Sequence, residues 1–180
     1  MAMSEDALAN ARSVAARISN ELGGRGVYGV ELFVAGDDVY FSSVSPRPLD
    51  TAMLTDYTQR FSEFDLHVRA MLGLPIDVTL VSPGAAVILH ADAKLDAVSF
   101  AGLDAALAYE ETDVRLFGKP SAYAGRRMGM VSTTAEDVET ARDRANLAAS
   151  KITVGPSHSE YAQGASEEPA LSDAPIPDID

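Results

Sequence analysis

Residues 27–48 read VYGVELFVAGDDVYFSSVSPRP. Two runs rich in β-branched and aromatic residues flank a Gly-Asp-Asp turn, which predicts a β-hairpin. Pro46 and Pro48 then forbid a central strand or a helix interior. Strand alternation places Val27, Gly29, Glu31 and Phe33 on one face. One acid therefore sits inside an apolar strand. A carboxylate there must be exposed, paired or bound to a cation. A three-residue turn, Gly36-Asp37-Asp38, pairs Ala35 with Val39 and sets Glu31 opposite Ser43; a two- or four-residue loop sets Ser42 there instead.

Elements on either side fit an α/β chain. Ser4 caps a helix whose stripe is Leu8, Ala11, Ala15, Ile18 and Leu22, stopped by Gly23 and Gly24. A second helix is expected over Asp56–Leu72, with Tyr57, Phe61, Phe64, Val68 and Leu72 in line, ended by Gly73 and Pro75. Short β-type runs follow at 78–81, 86–90, 98–100, 114–117 and 128–131, with a small helix at 102–109. Thr133-Thr134-Ala135-Glu136 reads as a capping box opening a last helix to Ser150, buried along Val138, Ala141, Ala145 and Ala148. The division expected is 1–75, 76–155 and a tail, 156–180.

The tail holds six acids (Glu160, Glu167, Glu168, Asp173, Asp178, Asp180), no Lys or Arg, and four of the nine prolines. It is expected to be disordered and solubilising. The formal net charge of −13 argues against non-specific nucleic-acid binding, which needs clustered Lys and Arg. No apolar run approaches the ~20 residues of a membrane span. MAMSEDALANARS has no basic region followed by an apolar block, so no secretory leader is expected. With no Cys there is no thiolate chemistry, consistent with a cytoplasmic protein. His67, His90 and His158 have no zinc-ligand spacing.

GVELFV, FSSVSPRPLDT, SEFDLHVRAMLGLP and RLFGKP…GRRMG together resemble the formate-dependent phosphoribosylglycinamide formyltransferases, ATP-grasp enzymes of purine synthesis. The resemblance covers about Ala7 to Val154 and corresponds to the C-terminal half of members roughly twice as long. It implies the last part of an ATP-grasp module, an antiparallel sheet with helices, followed by a small β-rich domain. The nucleotide-binding-like N-terminal domain and the part that encloses adenine lie outside the matched region.

The resemblance also assigns roles. Glu31 matches the first of two glutamates that hold Mg²⁺ against ATP, and Ser43 stands at the second position. A hydroxyl does not replace the lost anionic charge. Asp50 matches the acid that holds the glycinamide end. Lys119, Arg126 and Arg127 match the cations on the ribonucleotide phosphate. Arg47 matches a residue near the phosphates or shaping its loop; a salt bridge to Asp50 or Glu31 is an equal reading. Leu49 replaces the family's usual His. The expectation is a truncated relative, inactive alone and without a cofactor of its own, that keeps a phosphorylated-ribonucleotide site or acts as an assembly module. It would associate as a homodimer or with a separate chain. The alternative is a working part of a split ATP-, Mg²⁺- and formate-dependent enzyme.

Overall fold

The computed structural model describes residues 3–157, so most of the acidic 156–180 segment lies outside the described residues. Helix α1 (Glu5–Leu22) begins where the Ser4 hydroxyl accepts from the Ala7 N–H and ends at Gly23, whose positive φ of 67° suits glycine. It lies on the hairpin of β1 (Gly29–Ala35) and β2 (Asp38–Ser45). A two-stranded hairpin covers little of a helix, and Leu8 and Leu22 of the expected stripe stay exposed.

The hairpin turn is shorter than expected: Ala35 pairs with Asp38, leaving a two-residue Gly36-Asp37 loop. That register alone would set Ser42 opposite Glu31. A bulge shifts the pairing between Leu32 and Glu31, so Glu31 faces Ser43 after all.

The expected single helix over 56–72 is broken. A 3₁₀ turn (Asp50–Ala52) leads to the one-turn helix α2 (Thr55–Thr58), and α3 (Glu63–Met71) starts afresh. The reason is local. The Ser62 hydroxyl accepts from the Asp65 N–H while the Asp65 carboxylate accepts from the Ser62 N–H. This capping box out-competes a continuous helix, and Gln59 pairs with Leu80 instead. Phe64, Val68 and Leu72 of the expected stripe are exposed; Glu63 and Leu66 are the buried members of α3. Residues 78–81 contribute that one bridge at Leu80 rather than a strand.

The main sheet has the antiparallel order β3 (Gly84–His90), β6 (Arg127–Thr134), β5 (Thr112–Leu116). A second ribbon pairs β4 (Val98–Ala101) with β7 (Thr153–Pro156), so Pro156 is ladder rather than tail. The short α4 (Leu103–Leu107) follows β4. Central strand β6 is covered on both faces and nearly all buried, which is why MGMVSTT does not alternate. On one face α5 (Val138–Ala149) packs Ala141, Ala145 and Ala148 at 0% exposure, and Val131, Leu89 and Ala106 join that core. On the other, Arg115 of β5 pairs with Asp56 at 2.6 Å, and Tyr57 donates to Asp113 at 2.8 Å, which ties α2 to the sheet. The expected Thr133 capping box is wrong. Strand β6 runs on through Thr134, Thr133 donates to the Ala141 carbonyl, and Asp137 caps α5 by accepting from the Thr140 N–H. Val138 is correspondingly exposed.

Candidate functional site

A pocket of about 370 Å³ lies where the hairpin, the proline loop and β6 meet, with Glu31, Ser43, Arg47, Asp50 and Arg127 in its lining. Glu31 is exposed on the strand face, and its Oε2 accepts from the Ser43 hydroxyl at 2.6 Å. The strand acid is thus exposed and paired to a neutral hydroxyl.

Behind the hairpin, Pro46 and Pro48 shape a tight loop. The Arg47 N–H donates to the Ser45 carbonyl at 2.8 Å, and its guanidinium donates to the Pro48 carbonyl at 3.0 Å. No ion pair joins Arg47 to Asp50 or Glu31 among the described residues. Leu49 lies against Gly29, where a Cβ would stand 2.1 Å from Leu49 Cδ1. Glycine at 29 therefore lets the loop sit down on β1.

Asp50 opens the 3₁₀ turn and pairs with Arg127, 77 residues away at the start of β6. The Asp50 carboxylate beside it, with Glu31 adding to the field, holds the Arg127 guanidinium more firmly protonated than usual. Arg126 and Arg127 are neighbours at a strand entrance, and only Arg127 lines this pocket. Arg126 donates to the Ser121 carbonyl at 2.8 Å and lies over the Tyr123 ring. Lys119 donates to the Arg127 carbonyl at 2.6 Å, which places it behind the strand end, outside the lining. The structure therefore gathers Glu31, Ser43, Arg47, Asp50 and Arg127 in one lining, and leaves Lys119 and Arg126 outside it.

Sequence reasoning missed Glu63. The residue is 2% exposed, and its Oε2 accepts from the Leu49 N–H at 3.0 Å. Burial pushes this carboxyl above its ordinary range; the Leu49 hydrogen bond opposes that, and Asp56 and Asp50 reinforce it. SEFD marks a helix start, a capping serine before an acid at the first helical position, but not that this acid is buried. His67 is structural: its Nδ1 accepts from the Val27 N–H at 3.0 Å.

A hairpin acid, a proline-bounded loop and a sheet arginine around one cleft are joined here to a match that defines the class: residues 1–64 match the ATP-grasp domain. Residues 84–152 match the family described as PurT, C-terminal. The chain is 66% identical over 154 residues to the formate-dependent phosphoribosylglycinamide formyltransferase of Corynebacterium efficiens, covering 86% of this chain and 38% of that protein. It is 55% identical over 150 residues to that of Rhodococcus jostii, covering 83% of this chain and 37% of the relative. Among solved structures, glycinamide-RNase-transformylase T from Mycobacterium tuberculosis superposes with a TM-score of 0.68 at 42% identity, over 85% of this chain and 40% of the other. N5-carboxyaminoimidazole ribonucleotide synthetase from Thermotoga maritima superposes with a TM-score of 0.76 at 27% identity, over 86% and 44%. The chain corresponds to the C-terminal part of the formate-dependent phosphoribosylglycinamide formyltransferases. It spans about two fifths of the length of the curated relatives it matches.

ATP-grasp membership implies Mg²⁺ and ATP in a whole enzyme. Mg²⁺ takes hard oxygens, with one or two carboxylates plus phosphates. Here Glu31 is the one hairpin carboxylate in the pocket lining, it already holds the Ser43 hydroxyl, and Arg127 brings a positive charge toward it. No cluster of three or more His, Asp or Glu side chains occurs among the described residues. These residues do not by themselves fit a magnesium cradle.

Proposed function

We propose that this chain supplies the acceptor side of a glycinamide ribonucleotide formyltransferase and does not sustain ATP- and formate-dependent transfer by itself. Asp50 holds the amine of a phosphorylated ribonucleotide, and Arg127 holds its phosphate, with Lys119 and Arg126 as its further cations if their side chains turn from their present partners. The single observation that carries this reading is the Asp50–Arg127 pair inside the pocket. A ligand bearing both an amine and a phosphate replaces that pair and leaves neither charge unmatched. Arg47 keeps the loop in shape through the Pro48 carbonyl. In this reading residues 1–75 are a partial ATP-grasp subdomain, and 76–155 are a small sheet-and-helix domain.

Mg²⁺ and ATP belong to a completed enzyme, and the hairpin of this chain contributes only Glu31 to a cation. A net charge of −13 supports a small-molecule ligand over nucleic acid. No helix among the described residues is long and apolar enough to cross a membrane, in keeping with a place in the cytoplasm. The test is calorimetric titration with glycinamide ribonucleotide, run beside an assay of formate-dependent phosphate release from ATP. Saturable binding with no release is expected. Release by the chain alone, or no binding at millimolar ligand, overturns the proposal.

A second reading, completion by a second copy or a separate chain, is favoured by one observation. Leu72, Val78, Leu80 and Val81 are each at least 60% exposed on neighbouring stretches of chain. Apolar surface on that scale is commonly buried by association. Light scattering at micromolar protein tests it, and a monomer counts against it.

A further inference from the structure

Glu63 brackets the acid of the site. Its side chain accepts from the Leu49 N–H, the residue before Asp50. Its own N–H donates to the Thr55 hydroxyl at 2.8 Å, and that hydroxyl donates to the Ala52 carbonyl at 2.6 Å, two residues after Asp50. The segment Leu49–Ala52 is thus tied at both ends to one buried residue of α3. Pro48 has no N–H, so the Leu49 N–H is the first donor the loop offers after Arg47. Left without an acceptor in this half-buried place, it would cost more than an ordinary surface hydrogen bond.

We propose that Glu63 is a positioning residue: it fixes the Leu49–Ala52 segment so that Asp50 meets Arg127 in the pocket. The acceptor oxygen performs this task, and the negative charge is not needed for it. The facing groups agree. Glu63 lies near Asp56 and Asp50, which are themselves paired with Arg115 and Arg127. Its second oxygen, Oε1, is buried without a hydrogen-bond partner, as is Oδ1 of Asp56. Burial favours the neutral acid here, and the neutral acid keeps a carbonyl oxygen for Leu49.

The inference rests on reading Asp50 as the functional acid. Its test uses no ligand, so a failure here and a failure of ribonucleotide binding are told apart. The experiment is ¹H–¹⁵N spectroscopy and amide exchange on the full chain and on its Glu63→Gln and Glu63→Ala variants. In the parent and in Glu63→Gln, the Leu49 amide is protected and the Arg127 Nε–H resonance keeps its position. In Glu63→Ala, Leu49 exchanges at least about tenfold faster and the Arg127 resonance moves, while the amides of Val87 and Val131 in the β3–β6 ladder hold. An unchanged Leu49 amide in Glu63→Ala overturns the proposal, as does its loss in Glu63→Gln. If Glu63→Ala does not fold, Glu63→Gln decides: a retained Leu49 resonance supports the assignment and a lost one rejects it.

Discussion

The Ser43 hydroxyl donates to the Glu31 carboxylate at 2.6 Å across the first hairpin, in a register that a bulge restores. Two carboxylates facing each other there would make the hard, anionic donor set that the present pair lacks. Ser43→Glu is therefore expected to strengthen Mn²⁺ binding by about tenfold or more over the parent. Electron paramagnetic resonance of free Mn²⁺ checks this without reference to activity. Equal binding by parent and variant contradicts it.

Arg127 and Asp50 are both partly exposed, at 50% and 31% of their side chains. Such pairs contribute little to folding, so Arg127→Ala should change the free energy of unfolding by less than about 1 kcal/mol. Binding of glycinamide ribonucleotide should nevertheless weaken at least about tenfold, since hydrogen bonds to charged groups are the stronger kind. Arg127→Lys keeps the charge and loses the planar fork, and should restore only part of the affinity. Urea melts and calorimetry separate the two effects.

The Glu63 carboxyl gives the stability a pH dependence of known sign. Its folded pKa is raised above its unfolded one, chiefly by burial. The folded state therefore binds this proton more tightly, and losing it disfavours folding. The cost is absent below the unfolded value of about 4.3. It grows as pH rises through the folded value and is full above it. Glu63→Gln should match the parent at low pH and exceed it in stability near neutrality. A parent-to-variant difference that shrinks as pH rises contradicts the assignment.

The alanine stripe of α5 sets a packing limit. Ala145 is fully buried against the sheet, and Val138, two turns earlier, is half exposed. Ala145→Leu should cost about 1–3 kcal/mol by overpacking, whereas Val138→Lys should stay within about 0.5 kcal/mol. Thermal unfolding followed by circular dichroism compares them.

The sequence was informative wherever one local rule had no rival. Ser4 before an acidic first turn and Gly23 after Leu22 bound α1 at both ends. Alternation through VELFV put Glu31 and Phe33 on one face, and the structure exposes both. It misled where two local signals competed. A helical stripe through Tyr57, Phe61 and Phe64 lost to the Ser62–Asp65 capping box, and the Thr133 box lost to strand pairing in β6. The Glu31–Ser43 register was reached by a wrong turn length and an unforeseen bulge. Asp50 and Arg127 were each named on resemblance. Their meeting depends on a contact across 77 residues, which no local pattern carries. Glu63 stayed hidden because burial of an acid is a property of the packed chain.

The central claim is that the acceptor side of the site works in this chain while the cation side does not. Titration of glycinamide ribonucleotide into the parent and Arg127→Ala, with and without Mg²⁺, tests it most directly. The account predicts saturable binding by the parent, unchanged by Mg²⁺, and its loss in Arg127→Ala. No binding by the folded parent at millimolar ligand, or binding that requires Mg²⁺, would contradict it.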